Sequence, residues 1–267
     1  MDALIDFLTA LPLWVLAIVL NVWLIGFTLV AVAILRRWVF PRVPMASDPA
    51  LYFSIAVMQA SFVLFGLVAA LTAVSVWQRY EDVSGMVSAE ASSIAGLYRD
   101  LGGYPQPQRS ELQDILSGYT KQVITDAFPA HRSGRTILKG VAWMDRLQEK
   151  LFAFEPATES QKALHSETLT AFNRVLEARR QRIHAVASGL PIVVWWALLP
   201  GAMGCLVLSL FVPVPDRRQH AVLSACLAGF VAMVLFIIIA LDRPFRGAMA
   251  ITPEAYELVY DQLMKPK

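Results

Sequence analysis

Read at heptad steps, one stretch of the chain places Ser54, Met58, Ser61, Phe65, Val68, Thr72 and Ser75 on a single stripe, with Arg79 and Asp82 following at its polar end. On a helix those spacings share a face. Hydroxyls toward the two ends can hydrogen-bond passing water or ions, and the large apolar groups between them can close a narrow passage by dewetting. Repeated around an axis, such a helix can line a pore, with Arg79 and Asp82 as charge at its mouth. The same hydroxyls can instead bond the carbonyls one turn back, or a neighbouring helix. Residue types alone leave both readings open. The adjacent stripe, Gln59, Phe62, Gly66, Ala69, Ala70 and Ala73, includes the small pair Gly66 and Ala70 at four-residue spacing. It is expected to be the face on which another helix packs.

Glu90 is the second candidate. It falls on the heptad seam of Val83, Val87, Ile94 and Leu97, where a carboxylate loses hydration unless it is paired. Arg179, Arg180 and Arg182 lie on a segment that returns toward the membrane and can supply the partner. A structural ion pair is the expectation, with ion binding or gating as the alternative; unpaired, the carboxyl would titrate upward. Beyond these groups the sequence carries no Walker loop, dinucleotide-binding glycine pattern, His-Glu-x-x-His or Cys-x-x-Cys motif, so neither an enzyme nor a cofactor is expected. His131, His165, His184 and His220 are scattered without ligand spacing and read as surface residues, and no EF-hand pattern occurs; no metal site is assigned. Cys205 and Cys226 fall in apolar runs and imply no disulfide framework.

The elements that must position these residues follow from hydropathy. The 267 residues are 57% hydrophobic and only 16% charged, and the mean hydropathy of +0.53 exceeds that of ordinary soluble domains. The formal charge of +2 is too balanced to point to nucleic acid as a partner. Membrane lipids are the expected surroundings. Four runs can cross a hydrocarbon core, at 12–35, 51–76, 190–212 and 221–241. The first is read as a retained span because the charges upstream of it are Asp2 and Asp6, not the basic residues of a signal peptide. Ser47-Asp48-Pro49 reads as a cap before the second span, and Pro200 as a kink in the third. The turn from Pro213 to Arg218 makes the third and fourth spans a tight hairpin.

Residues 78–188 hold 14 of the 23 basic and 13 of the 21 acidic residues, which marks an aqueous domain. Its apolar periodicity is helical: Leu112, Ile115, Tyr119 and Val123 form one seam, and Ile137, Val141, Met144 and Leu151 another. Gly102-Gly103-Tyr104-Pro105 and Phe128-Pro129 read as breaks. Thr158 with Gln161 is a capping box that opens a long helix toward Ala187. Residues 242–267 form a tail, with Thr252-Pro253-Glu254 starting a short amphipathic helix whose first position is expected to be the proline. The expected fold is therefore an all-α membrane protein, with spans in 1–77 and 189–241, an aqueous domain at 78–188 and a tail helix. An even number of spans puts both termini on the side of the aqueous domain. Arg36, Arg37, Arg42, Arg217 and Arg218 flank the short loops, against Arg79, Arg174, Arg179, Arg180, Arg182, Arg243 and Arg246 on the other side. That excess favours a cytoplasmic aqueous domain.

The stretch from Phe62 to Tyr80, then Glu90-Ala91, Leu97-Tyr98-Arg99, Tyr119 and Val123, and above all Leu241-Asp242-Arg243-Pro244-Phe245-x-Gly247, resembles the bestrophin-like family of prokaryotic and plant membrane proteins, which is remotely related to the bestrophin anion channels. Asp242, Arg243, Pro244 and Phe245 carry its most specific block. The resemblance implies a homo-oligomer, a pentamer by the bestrophin relation, in a bacterial inner membrane, with the second span lining an anion pore for small inorganic ions. The acidic cluster by which eukaryotic bestrophins sense calcium has no counterpart here, so calcium gating is not implied. Read locally, Asp242, Arg243 and Pro244 are equally an interfacial anchor and a helix stop. A channel of several copies, each enclosing too little space alone, is the expected function. The alternative is a membrane-anchored interaction or signalling module that does not conduct.

Overall fold

A computed structural model describes residues 11–39, 48–137, 139–212 and 214–265, with the backbone alone at 39 and 48–50. Asp2, Asp6, Arg42, Ser47 and Pro213, which entered the expectations above, lie outside the described residues. Every regular element described is helical: α1 (Leu13–Ile34), α2 (Asp48–Leu101), α3 (Gln108–Gln122), α4 (Phe128–Arg132), α5 (Lys139–Phe152), α6 (Glu159–Val186), α7 (Ile192–Leu210), α8 (Arg217–Leu241) and α9 (Glu254–Val259). Single π-turns extend α1 over Leu35–Val39, join α3 to α4 over Val123–Ala127 and extend α9 over Tyr260–Met264. Helices α1, α7, α8 and the first part of α2 are long and apolar enough to span a membrane. The chain is an integral membrane protein with four such helices among its described residues.

It forms two compact units, each built from separated stretches of sequence: residues up to Gln78 with Gly189–Asp242, and Arg79–Ser188 with Arg243 onward. The tail thus belongs with the aqueous unit. In the membrane unit α1 packs along α8, and α7 touches both. Their shared core is Leu24, Ala202, Leu206, Ala228, Val231, Ala232 and Leu235, in which the three alanines let helix backbones approach without a hydrophobic drive from water. Pro200 lies inside α7, which is continuous from Ile192 to Leu210. Helix α8 starts before the hydrophobic run at 221, because the Asp216 carboxylate accepts hydrogen bonds from the Arg218 and Gln219 amides at 3.0 and 3.4 Å and so satisfies two donors of its first turn.

Helix α2 runs for 54 residues without a break and stops where glycine permits. The Gly102 amide donates to Arg99 O at 2.9 Å and the Gly103 amide to Asp100 O at 3.0 Å; a Cβ on Gly102 would stand 2.9 Å from that same Arg99 oxygen. In the aqueous unit the α2 seam of Val83, Val87, Ile94, Leu97 and Leu101 is buried against Leu112, Ile115, Leu116 and Tyr119 of α3, with Leu147, Leu151, Phe172 and Val175 closing the core. At about 1.5–3 kcal/mol for each large side chain fully removed from water, this seam is a major source of the unit's stability.

Three local expectations need correction. Phe128-Pro129 is no break: the π-turn at Val123–Ala127 shifts the hydrogen-bond register, and Pro129 falls in the first turn of α4, where its missing N–H costs little. Val141 is 37% exposed, while Leu147, which the seam omitted, is fully buried; the buried face of α5 is Gly140, Met144, Leu147 and Leu151. Pro253 caps α9 from just outside it. The capping box behaves as expected, with the Gln161 amide donating to Thr158 Oγ1 at 3.2 Å and the Gln161 side chain accepting from the Ala157 amide at 2.8 Å.

Candidate functional site

The polar centre of the aqueous unit grows from α2, α3 and α6. Glu90 has no exposed surface and Arg182 is 2% exposed. Arg182 Nε donates to Glu90 Oε2 at 2.6 Å, Nη2 donates to Oε1 at 3.2 Å, and the Tyr119 hydroxyl donates to Oε1 at 2.8 Å. This is a two-pronged guanidinium–carboxylate pair with a third donor, the arrangement that a buried carboxylate requires. Of the three candidate arginines only Arg182 reaches Glu90. Arg179 stands beside Gly140, and Arg180 is paired at the surface with Glu177 at 3.9 Å.

Two further buried groups surround the pair. Arg182 Nη1 lies 3.5 Å from His131 Nε2, and its guanidinium carbon sits 5.9 Å from the centre of the Tyr256 ring. Burial, and then the Arg182 charge, push His131 down to about 4, so the imidazole is neutral near pH 7. Burial followed by the Glu90 charge raises both Tyr119 and Tyr256. Burial by itself would lower Arg182, but Glu90, Tyr256 and Tyr119 together outweigh it and hold the guanidinium above its ordinary value. His131 Nδ1 and the Tyr256 hydroxyl are buried without a hydrogen-bond partner among the described residues. Phe128 and Phe245 pack edge to face at 6.1 Å and flank His131 at 5.8 and 5.4 Å. Chemically the centre is a clamp: its charges are mutually satisfied and point into a closed core.

The surface assignment of the histidines therefore fails for His131 and for His220, each 2% exposed. The spacing of Phe128 and His131, one helical turn apart, was the available signal for the first. Tyr256 also escaped sequence reasoning, because a six-residue tail helix gives too little periodicity to distinguish a buried aromatic from an exposed one. His184 is exposed, and the Tyr104 hydroxyl lies 2.7 Å from His165 Nδ1 in a half-buried contact. Among the described residues no group of His, Cys, Asp or Glu is placed to hold a metal ion. Cys205 and Cys226 are free thiols.

The family block resolves into separate tasks. In the membrane unit Asp242 Oδ1 accepts from the Leu190 amide at 2.6 Å, which ties the end of α8 to the residues that lead into α7. In the aqueous unit the Pro244 carbonyl accepts from the Ile251 amide at 2.8 Å, and Phe245 enters the aromatic cluster. Arg243, the first tail residue of the aqueous unit, is half-buried. Gly247 has φ +76° and Gly134 has φ +69°, conformations that favour glycine. A Cβ on Gly134 would run into Arg246 Nη2, so Arg246 occupies the space that the glycine leaves.

On the membrane part of α2 the hydroxyl stripe is mixed. Ser61 Oγ and Thr72 Oγ1 each donate at 2.8 Å to the carbonyl four residues earlier, Val57 and Val68. Phe65 covers Gly201 of α7, whose Cβ would lie 3.0 Å from the ring, and Cys205 Sγ approaches Ser61 O at 3.8 Å. Ser54, Val68 and Ser75 are exposed and Met58 is half-covered, as is Arg79; Asp82 is exposed. On the adjacent stripe Ala69 is buried, but Gln59, Gly66 and Ala70 are exposed and nothing lies within 4 Å of a Cβ built on Gly66. Within one chain, the edge facing α7 is thus the hydroxyl stripe rather than the small-residue face.

A family model described as the Bestrophin-like domain matches residues 22–256. No curated relative matches by sequence. Among solved structures, the chain is similar to a point mutant of a bacterial bestrophin homologue from Klebsiella pneumoniae, with TM-score 0.69, 9% identity and coverage of 92% of this chain and 97% of that one. A second crystal structure of the Klebsiella pneumoniae homologue gives TM-score 0.68, 8% identity and coverage of 93% and 96%. A crystal structure of a membrane protein carrying a point mutation gives 0.71, 9%, 92% and 97%. At such identities the likeness establishes the fold.

Proposed function

The chain belongs to the Bestrophin-like family, and from that premise we propose that it is an ion channel built from several copies, with the second spanning helices around a common axis. The supporting observation is the coverage of that helix. Only 11% of its apolar window is buried by its own chain, against 22%, 28% and 39% for the other three spanning helices. An apolar helix left so open is completed by lipid or by another copy, and closed rings are the usual form of homo-oligomers. In this reading Ser54, Met58, Ser61, Phe65, Val68, Thr72 and Ser75 turn toward the axis, with Phe65 and Val68 as the apolar constriction and Arg79 and Asp82 at the mouth. Five copies, a preference for anions and an inner-membrane location with the aqueous unit in the cytoplasm complete the proposal. Burial of Arg182 in its ion pair narrows the arginine excess behind that orientation.

A second reading has its own support. The Ser61 and Thr72 hydroxyls are already bonded within their helix, and Phe65 rests on Gly201. Both features suit a purely structural stripe in a membrane-anchored interaction module. Single-channel recording from purified protein in liposomes under a salt gradient separates the two and gives the sign of the permeant ion from the reversal potential. A channel gives currents, and Phe65→Ser or Val68→Ser raises the basal conductance by wetting the constriction. A module gives no current, and the same substitutions change only stability.

A further inference from the structure

Where α1 ends, Arg36 is gripped by the turn that leads into α8. Its Nε donates to His220 Nδ1 at 3.2 Å, Nη1 donates to the Pro215 carbonyl at 3.5 Å, and Nη2 donates to the Val214 carbonyl. Because His220 accepts at Nδ1, the ring is neutral in this contact and carries its hydrogen on Nε2. The grip holds the end of α1, which carries Arg37, beside the start of α8, which carries Arg217 and Arg218. All three are exposed. None of them makes an ion pair among the described residues. The carboxylate of the turn, Asp216, is engaged by the amides of Arg218 and Gln219. Trp38, next to Arg37, is 59% exposed.

We propose that Arg37, Arg217 and Arg218 form a binding face for a phosphodiester monoanion supplied by the headgroup of an anionic phospholipid, on the scaffold that Arg36 and His220 fix. A guanidinium matches two phosphate oxygens with two parallel N–H donors, which a point charge cannot do. The face lies at the ends of two spanning helices, the depth at which lipid phosphates sit, and an exposed indole beside it is the side chain that favours the headgroup layer. A free phosphate ion offers the same chemistry without acyl chains, and the membrane position favours the lipid as its source.

The test uses full-length protein purified in detergent, with native mass spectrometry to count retained lipid during titration with phosphatidylglycerol or phosphatidylcholine. The wild type retains phosphatidylglycerol at least about tenfold better than the Arg37→Gln/Arg217→Gln/Arg218→Gln variant, and the two proteins retain phosphatidylcholine equally. A control with three exposed arginines of the aqueous unit neutralised, Arg99→Gln/Arg109→Gln/Arg146→Gln, keeps wild-type retention. Equal phosphatidylglycerol retention by the wild type and the first variant overturns the proposal. In a separate arm, inorganic phosphate at millimolar concentration leaves lipid retention unchanged; displacement of the lipid by phosphate, with the same arginine dependence, overturns the lipid assignment. Should the triple variant elute differently from wild type, Arg37→Gln and Arg217→Gln are measured singly, and each must lower retention for the proposal to stand.

Discussion

In the aqueous unit a carboxylate, a guanidinium and two phenols sit at the centre of a core that one chain closes by itself, whereas in the membrane unit the second spanning helix leaves most of its apolar surface uncovered by its own chain. Water accounts for the contrast. Where it surrounds the fold, apolar burial drives closure and most buried polar groups find a partner inside. Where lipid surrounds the fold, an apolar face costs nothing to leave open, and Ser61 and Thr72 turn their hydroxyls back to their own helix. The first region is expected to be fragile to single polar changes, and the second tolerant in folding and sensitive in whatever its open face does.

The sharpest way to break this comparison is Glu90→Ala, which leaves Arg182 charged and unpaired in a closed core. A loss of about 3–5 kcal/mol is expected, seen as a large fall in the thermal midpoint of the detergent-purified protein. A variant that melts like wild type would show that the clamp does not hold the unit together. Acidification gives a smaller effect of defined sign. The folded His131 is depressed to about 4, so in that interval the unfolded state binds the proton first, and its contribution is lost as pH falls from about 6.5 toward 4. Between pH 7 and 5 that amounts to roughly 1–2 kcal/mol, and His131→Gln should flatten the melting profile over those two units.

Gly134→Ala probes the packing of the family block from the other side. It sets a methyl group on Arg246 and an L residue in the left-handed region, with an expected cost of about 1–2 kcal/mol measured by chemical unfolding; an unchanged midpoint would mean that Arg246 moves freely. The smallest effect belongs to the membrane unit. Thr72→Val removes a hydroxyl bonded only one turn back, and stability should move by less than about 0.5 kcal/mol. If the same substitution alters the conductance in recordings, the stripe meets water in the assembled protein, and the two regions differ in function as they do in packing.

Much of the fold was legible residue by residue. The four hydrophobic runs, the glycine stop at Gly102 and the Thr158 capping box each act within a single turn or a window the length of a bilayer crossing, where local rules suffice. The need of Glu90 for a partner was legible as well, because a carboxylate on an apolar seam is a local contradiction. Its partner was not: Arg179, Arg180 and Arg182 sit within one helical turn, and the choice among them depends on how α6 is rotated against α2. The Phe128-Pro129 break was misread because a π-turn leaves no compositional mark ahead of a proline.

By itself, then, the sequence determined the helical class, the number and approximate bounds of the spanning helices, and the seam on which a charge must be neutralised. Only the tertiary structure decided that Arg182, 92 positions away, answers Glu90, that His131 and Tyr256 are drawn into the same closed centre, and that the hydroxyl edge of the second spanning helix leans on Gly201. Hydropathy and capping are sums over neighbours along the chain. Pairing across a core depends on helix rotation and approach, which many weak contacts fix jointly and no short window contains.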